Sequence, residues 1–458
     1  MDRRNFLTSS TLIGAGIPLG LASTSFTSCS TGDGNKSAAV KSFTPEELGM
    51  YSFVDVAPDG KPIKAALVGC GDRGTGAATQ FLKSGPNVSI IALADLFPDR
   101  MDTCRQVLKE KFNNEVPEAN RFFGFDAYQK VLAIAEIDVV LLCTPTHFRP
   151  EQFKAAVEAG KNVFMEKPCA VDPFGIRTVI AAAKDATRKG LTVVTGNQRR
   201  HSRAYWEAYV QVRNGAIGEI LSGSAHWDQG AWWNKKQRPE WNDMEYNIRN
   251  WFNIKWLSGD HILDQAIHNI DIVTWFMGDR PIKAAGFGGR AQRLTGDIYD
   301  FFSVDYYYNQ NRKMLTTARQ IDGCEGNVSE QVYGTKGMFT TKHDGEKEGV
   351  RLEDYNGNII WAYDYKNKPE KDHYDQEHIH LVESIRLGKK INQAEDLAYS
   401  TLVAILGREA AYTGNLITWD EIQASDLRYG PEKYEMGALP DYHEGVAPKP
   451  GKAPNPAS

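Results

Sequence analysis

The sequence predicts an α/β fold whose first domain is a doubly wound parallel sheet, and three observations predict it. Residues Ile63 to Val68 form a short apolar run that enters Gly69-x-Gly71-x-x-Gly74, with a helix-compatible stretch from Gly76 to Leu82 behind it. A second apolar run, Val88 to Ala94, ends at Asp95. Beyond it, helix-like and strand-like stretches alternate, the signature of parallel βαβ construction.

Each element has its own reason. Glycines at this spacing answer three needs: a sharp turn after a strand, contact between backbone and a pyrophosphate, and close packing of helix on strand. The helix N-terminus then faces the phosphates. Gly69, Gly71, Asp72, Arg73 and Gly74 are therefore candidate contacts to a dinucleotide. Asp95 stands where an adenosine ribose hydroxyl pair would be held, which favours NAD. Arg73 and Arg100 are near enough in sequence to accommodate the 2′-phosphate of NADP. The alternative is a glycine turn in some other parallel α/β protein, and the second strand and Asp95 weigh against it.

Ile137 to Pro145 reads as a buried strand, followed by Thr146 and His147. Thr144, Pro145 and His147 are candidates to border the nicotinamide ribose, although His147 reads equally well as a loop residue with a structural hydrogen bond. A helix from Phe148 to Ala159, closed by Gly160, leads to the strand Asn162 to Met165, which runs into Glu166-Lys167-Pro168. Carboxyl ends of strands face the ligand crevice in such a sheet, so Glu166 and Lys167 are placed for chemistry. A helix from Ile176 to Lys189 and a sixth strand from Leu191 to Thr195 complete the domain near Asn197.

The second half begins with an alternating strand, Leu221 to Trp227, and has further strands at Phe301 to Tyr308 and Lys313 to Ala318. Between them Asp264 to Trp275 reads as one helix ending at Gly278, on which Asp264, His268, Asp271 and Trp275 share a face. Taken alone, that face reads better as a solvated polar stripe, with His268 exposed or capped, than as a site. Arg199 at the domain crossing, and Trp227, Trp232 and Trp233 in an aromatic and polar loop, are candidate sugar contacts; surface charge and ordinary core packing are the alternatives. His373, His378 and His380 lack a partner set for coordination, so no catalytic metal is expected. His378 to Gly414 reads as one or two helices, and a Pro-, Gly- and Lys-rich tail follows as an exposed arm or a strap across a neighbouring subunit.

At 458 residues, 41% hydrophobic and 24% charged, the chain fits two ordinary domains. Its net charge of -5 and lack of a basic stripe argue against a nucleic-acid partner. Six cysteines show no C-x-x-C spacing, and four of them fall in the first domain, so no disulfide framework is expected. Arg3-Arg4-x-Phe6-Leu7 and the short apolar run Leu12 to Leu21 read as a twin-arginine export signal, implying the twin-arginine machinery as partner and a periplasmic destination. Phe26 to Cys29 is similar to a lipoprotein cleavage box, so Cys29 is a candidate for lipidation and membrane attachment. The expected divisions are a signal at 1–29, a linker at 30–60, the Rossmann domain at 61–197, a second domain at 198–420 and the arm at 421–458.

AALVGCGDRG, LLCTPTHFRPEQFKAAVEAGKNVFMEKP, GDHILDQAIHNIDIVTWFMG and QVYGTKGMF occur in the order and spacing of the glucose-fructose oxidoreductase and inositol dehydrogenase family, Gfo/Idh/MocA, which the chain resembles over residues 61 to 420. The resemblance implies a C-terminal α/β domain with a large open, mostly antiparallel sheet, one face at the active site and the other often an oligomer interface, in a dimer or tetramer. It also implies an enzyme acting on a secondary hydroxyl of a sugar, glycoside or polyol. Lys167 matches the lysine of the family's Glu-Lys-Pro motif; Asp264 and His268 match its Asp-x-x-x-His pair. His268 is then the principal acid/base, Lys167 a donor to the substrate oxygen or an alternative base, and Asp264 the group that orients His268. Free NAD is scarce outside the cytoplasm, so the cofactor is expected to stay bound. Two alternatives share the scaffold: an NAD-dependent α-N-acetylgalactosaminidase, whose helix motif differs from DQAIHNID, and a non-catalytic sugar-binding protein with a vestigial cofactor site.

Overall fold

The computed structural model describes residues 42–341, 349–440 and 445–451. The expected signal peptide, with Arg3, Arg4 and Cys29, lies outside the described residues, as does the first part of the linker. Among the described residues no helix is long and apolar enough to cross a membrane.

Eleven elements alternate along the first part of the described chain: β1 (Ile63–Val68), α1 (Asp72–Lys83), β2 (Val88–Asp95), α2 (Pro98–Phe112), β3 (Arg121–Phe123), α3 (Ala127–Leu132), β4 (Val139–Leu142), α4 (Arg149–Glu158), β5 (Asn162–Met165), α5 (Pro173–Arg188) and β6 (Val193–Thr195). Their strands pair in parallel in the order β3-β2-β1-β4-β5-β6. A parallel sheet is covered on both faces, so its strands are apolar throughout. Ala65 and Leu67 face one layer of core, Ala66 and Val68 the other. The order reverses between β1 and β4, and a crevice opens there at the carboxyl ends. The helices start where their sequences say they should: Asp172 caps α5 by accepting from the Gly175 N–H at 2.8 Å, with Pro173 as first helical residue. Such a cap stabilises a helix by about 1 kcal/mol.

The chain then runs through α6 (Arg203–Arg213), β7 (Ile220–Gln229), α7 (Asp243–Arg249), α8 (Lys255–Ser258), α9 (His261–Asp264) and α10 (Ile267–Met277). Strands β8 (Lys283–Gly289), β9 (Phe301–Tyr307), β10 (Lys313–Gln320), β11 (Asn327–Gly334), β12 (Met338–Thr340), β13 (Arg351–Glu353) and β14 (Ile359–Ala362) follow. Last come α11 (His373–Leu387), α12 (Ala394–Thr413), β15 (Ile417–Thr418) and α13 (Trp419–Ala424). The described strands of this half form one sheet, β14-β13-β12-β11-β7-β10-β9-β8-β15, antiparallel except where β10 meets β7. Period-2 alternation gives it an inner face, covered by α10 over β7 and β11 and by α12 over β8 and β9, where Phe302, Val304 and Tyr306 are buried, and an outer face on which Phe287 and Leu315 are 66% and 39% exposed.

Three expectations change. The single helix from Asp264 to Trp275 is two, α9 and α10, interrupted at Gln265 and Ala266. The stretch 198–420 does not all belong to the second sheet, because α11 returns to the first. Its Ile379, Leu381 and Val382 cover the face formed by Leu67, Phe164 and Val194, and the Val193 N–H donates to the Ile391 carbonyl at 2.7 Å. Without α11 that apolar face would meet water. The C-terminal arm lies along its own chain rather than free of it: Tyr429 N–H donates to Asp172 at 2.9 Å, Leu439 N–H to Asp243 at 3.1 Å, and Gly451 N–H to the Thr413 carbonyl at 3.2 Å. Cys70, Cys104, Cys143, Cys169 and Cys324 are free thiols.

Candidate active site

The crevice begins at the turn after β1. Gly69 has φ +94°, and a Cβ on Gly74 would fall 1.8 Å from the Gly69 carbonyl oxygen, so turn and helix approach as only glycines permit. Gly71 precedes α1 with no side chain on the first helical N–H groups; a Cβ there would meet nothing nearer than Arg100 at 3.8 Å. An open helix N-terminus with unsatisfied donors fits a pyrophosphate. Asp72 is the first residue of α1. At the end of β2 the Asp95 carboxylate accepts from the Cys70 N–H at 2.6 Å and the Phe97 N–H at 2.9 Å. Burial raises its pKa, against the pull of those N–H groups and of Arg100. These residues, with the sheet order, fit an adenine dinucleotide.

Arg73 turns the other way. Its guanidinium pairs with Glu166, with Glu377 at 3.0 Å and with Gln80 at 2.8 Å, and it lies 4.8 Å over the ring of Tyr374. It is therefore not placed for a 2′-phosphate beside Asp95, which corrects the sequence expectation; Arg100 is the cation left at that end. Burial works to raise the Glu166 carboxyl, but Arg73, Lys167 and Arg149 outweigh it and hold the pKa below its ordinary value. Glu166 in turn accepts from the Lys167 N–H at 3.0 Å. The glycine turn and the end of β5 are thus tied by one partly buried ion pair.

Lys167 carries the site across to the second domain. Its ammonium donates to the backbone carbonyl of Asp264, while the Asp264 carboxylate accepts from Gln265 at 2.7 Å. Asp264 therefore meets the site through its main chain, and the orienting role expected of its carboxylate toward His268 is not what the structure places. The interruption at Gln265 and Ala266 is the reason: it rotates Asp264 off the face that α10 presents. Lys167, Asn197, Arg199, Ile267, His268 and Asp271 line one small, partly enclosed cavity of about 10 Å³, room for about one water, so a larger ligand requires the walls to part. Burial lowers the pKa of His268 well below its ordinary value, and the charges of Lys167, Arg199 and Arg73 lower it further. A neutral imidazole beside an ammonium is the protonation pattern a base and a donor require.

The remaining candidates divide. Trp227, alternating inward on β7, lies 5.4 Å from the His268 ring, with Arg199 at 5.6 Å over its own face. Its Nε1 is buried without a partner among the described residues, as is Asn197 Oδ1 on the cavity wall. Arg199 is buried in an ion pair with Glu330 and donates to Asn269 at 2.5 Å, so it is no surface charge. Asp271 is held by both arms of Arg200 at 2.8 and 2.9 Å and by Ser400 at 2.5 Å, which leaves it structural as well as wall-forming. Trp232 and Trp233 are not at the cavity; they pack on Phe252 and Trp251, ring centroids 4.7 and 6.1 Å apart. Thr144 donates to Gln152 at 2.6 Å, and Pro145 opens the turn that carries His147. His147 is sealed against Trp256 and Tyr434, its Nε2 2.7 Å from the Tyr434 hydroxyl, and burial pushes its pKa down to about 4.

Sequence reasoning missed Asn197 and Glu377. Asn197 was findable, since it directly follows the sixth strand and strand ends face the crevice. Glu377 was not, because nothing local marks a helix from the far end of the chain as a wall of the first domain.

Two family models match the chain: an oxidoreductase family with an NAD-binding Rossmann fold over residues 63–195, and a GFO/IDH/MocA C-terminal domain over residues 205–340. The chain is 24% identical over 286 residues to an inositol 2-dehydrogenase of Rhizobium meliloti, covering 61% of this chain and 76% of that protein. It is also 24% identical over 237 residues to a glycosyl hydrolase family 109 protein of Shewanella amazonensis, covering 52% and 48%. Among solved structures it is similar to scyllo-inositol dehydrogenase of Lactobacillus casei with bound NAD(H) and scyllo-inositol, at TM-score 0.58 and 22% identity, covering 78% of this chain and 99% of that one.

Proposed function

The chain belongs to the Gfo/Idh/MocA family of NAD-binding oxidoreductases, and on that premise we propose that it oxidises a secondary hydroxyl of a sugar, glycoside or polyol, using a dinucleotide that stays bound through the cycle. The observation that carries the reading is the shared cavity of Lys167 and His268, one from the end of β5 and one from α10. His268 takes the hydroxyl proton. The Lys167 ammonium donates to the same oxygen as negative charge grows on it, leaving the Asp264 carbonyl to do so. A bound nicotinamide supplies the acceptor for the hydride that leaves the carbon. Asn197 Oδ1 and Trp227 Nε1, an acceptor and a donor without partners, support a ligand rich in hydroxyls. Arg199, fixed by Glu330 and Asn269, keeps the cavity wall rigid and electropositive.

Export by the twin-arginine route, with lipidation of Cys29 as its variant, belongs to the same proposal and accounts for a cofactor that travels with the protein. Assembly into a homo-oligomer is supported by the half-apolar outer face of the large sheet around Phe287 and Leu315. The test is to purify the protein, denature it and identify any released nucleotide, then to screen sugars and aryl glycosides. NADH appearing with one sugar and disappearing with another is the expected result. Aglycone release without net NADH would move the assignment to the hydrolytic reading, and bound nucleotide with no turnover on any sugar to a binding protein.

A further inference from the structure

The reacting end of the crevice is closed by polar groups, but the other end is closed by something else. Between the end of β2 and the turn after β4, where the adenosine half of a dinucleotide would lie, parts of both domains share one apolar cluster. Phe97, two residues beyond Asp95, packs with Met244, Ile248, Ile254, Trp256 and Leu257. Arg249 lies 3.9 Å over the Phe97 ring and donates to both oxygens of Asp99 at 3.1 Å, while Glu245 holds it at 2.8 Å. On the opposite side Tyr434 of the arm bonds His147 and packs on Phe125 and Phe148 at 5.8 and 5.5 Å. The arm is stitched to α7 by Met244 N–H on the Gly437 carbonyl at 3.0 Å and by Leu439 N–H on Asp243 at 3.1 Å. Lys235, in a loop pinned by its own N–H to Asn250 at 2.9 Å, stands within electrostatic reach of Asp72, Asp99 and Arg100.

We propose that residues 230–257 and the arm around Tyr434 form a roof over the adenosine and pyrophosphate of the bound dinucleotide, latched to the first domain by Arg249 on Phe97 and Asp99, and that unlatching sets the rate of cofactor exchange. This rests on the dinucleotide reading of the crevice. The roof comes from the second domain and the arm, so nothing in the glycine turn itself has to bind the cofactor unusually tightly. Lys235 adds a cation within electrostatic reach of Asp72, the first residue of α1, and so favours negative charge at that end of the crevice. Departure of the dinucleotide requires the Arg249 ion pair and the apolar cluster to part together. Exchange is therefore slow without any covalent link.

The experiment preloads the full protein with NADH, mixes it with excess NAD and follows the loss of bound-NADH fluorescence. Arg249→Ala is expected to speed release at least tenfold, and Asp99→Asn, which breaks the same pair from its exposed side, severalfold. Should Arg249→Ala fail to fold, Asp99→Asn decides alone. Release at the parent rate in folded variants, or slower release, overturns the roof while leaving the enzyme reading intact. A parent protein that binds neither NADH nor NAD removes both.

Discussion

The two ends of the crevice are closed by opposite chemistry. At the reacting end, Lys167, Arg199, His268 and Asp271 face a cavity whose walls are ion pairs, Arg199 with Glu330 and Arg200 with Asp271. At the adenosine end the core of the closure is aromatic and aliphatic, built on Phe97, Trp256 and Leu257, with the exposed Tyr434 at its rim and its ion pair, Arg249 with Asp99, at the surface. Each end holds a histidine kept neutral, His268 buried and His147 half-buried, yet His268 opens onto a cavity and His147 is capped by a tyrosine. Burial alone therefore does not separate the two imidazoles; what each of them faces does. The two ends are sensitive for different reasons: breaking a buried ion pair strands a charge at a cost of about 3–5 kcal/mol, and truncating a buried aromatic loses its apolar area and leaves a cavity at a similar cost.

The largest effect tests whether the reacting end is where the chemistry is. His268→Ala is expected to lower turnover about 100- to 10,000-fold, the range for losing a general base, with nucleotide content after gel filtration unchanged. If the variant keeps more than a tenth of the activity while Lys167→Met loses it, the base is Lys167. Gly74→Ala follows in size: its Cβ would collide with the Gly69 carbonyl oxygen at 1.8 Å. The turn must open to relieve this, and the expected outcome is protein without bound nucleotide on release by denaturation. Full nucleotide occupancy in that variant would mean the pyrophosphate does not sit at α1.

How much of this contrast could be read beforehand follows the chain distance involved. The glycine turn, Asp95 at a strand end and Lys167 at another were legible because each is a local pattern whose meaning is fixed by the parallel sheet. His268 was legible through its helix and the family motif, but the break at Gln265 and Ala266 was not; no glycine or proline marks it, and it turns Asp264 from a side-chain to a main-chain contact. Arg73 was misjudged because its partner Glu377 lies 304 positions away. The roof was invisible for the same reason. Residues such as Phe97, Arg249 and Tyr434 read separately as ordinary core and surface, and only the fold brings them together.

The two histidines also separate by pH. The acid limb of kcat/KM belonging to His268 is expected below pH 6.5, since a pKa lowered by burial and cations keeps the imidazole neutral to lower pH. Its disappearance in His268→Gln checks the assignment. His147 should show itself in stability instead. Its pKa falls from 6.5 to about 4 on folding, so the unfolded chain binds the extra proton between those values. Stability is full above pH 6.5 and is lost as pH drops toward 4, by up to about 3 kcal/mol. Urea midpoints at pH 7 and pH 4.5 in the parent and in His147→Gln measure it: the variant should lose less, and an equal loss would mean His147 is not sealed.

The smallest effect bears on what kind of contact the roof depends on. Tyr434→Phe removes only the hydroxyl that meets His147 Nε2 at 2.7 Å and keeps the ring against Phe125 and Phe148. Tyr434 is 37% exposed, so water can take over part of the bond. The expected cost is therefore about 0.5–1 kcal/mol in urea unfolding, at the low end for a hydrogen bond, and NADH release should quicken less than fivefold. Tyr434→Ala, which also removes the ring, should quicken it more. If the loss of one hydroxyl matched the loss of the ring, the closure at this end would be polar after all, and the two ends of the crevice would differ in sequence but not in kind.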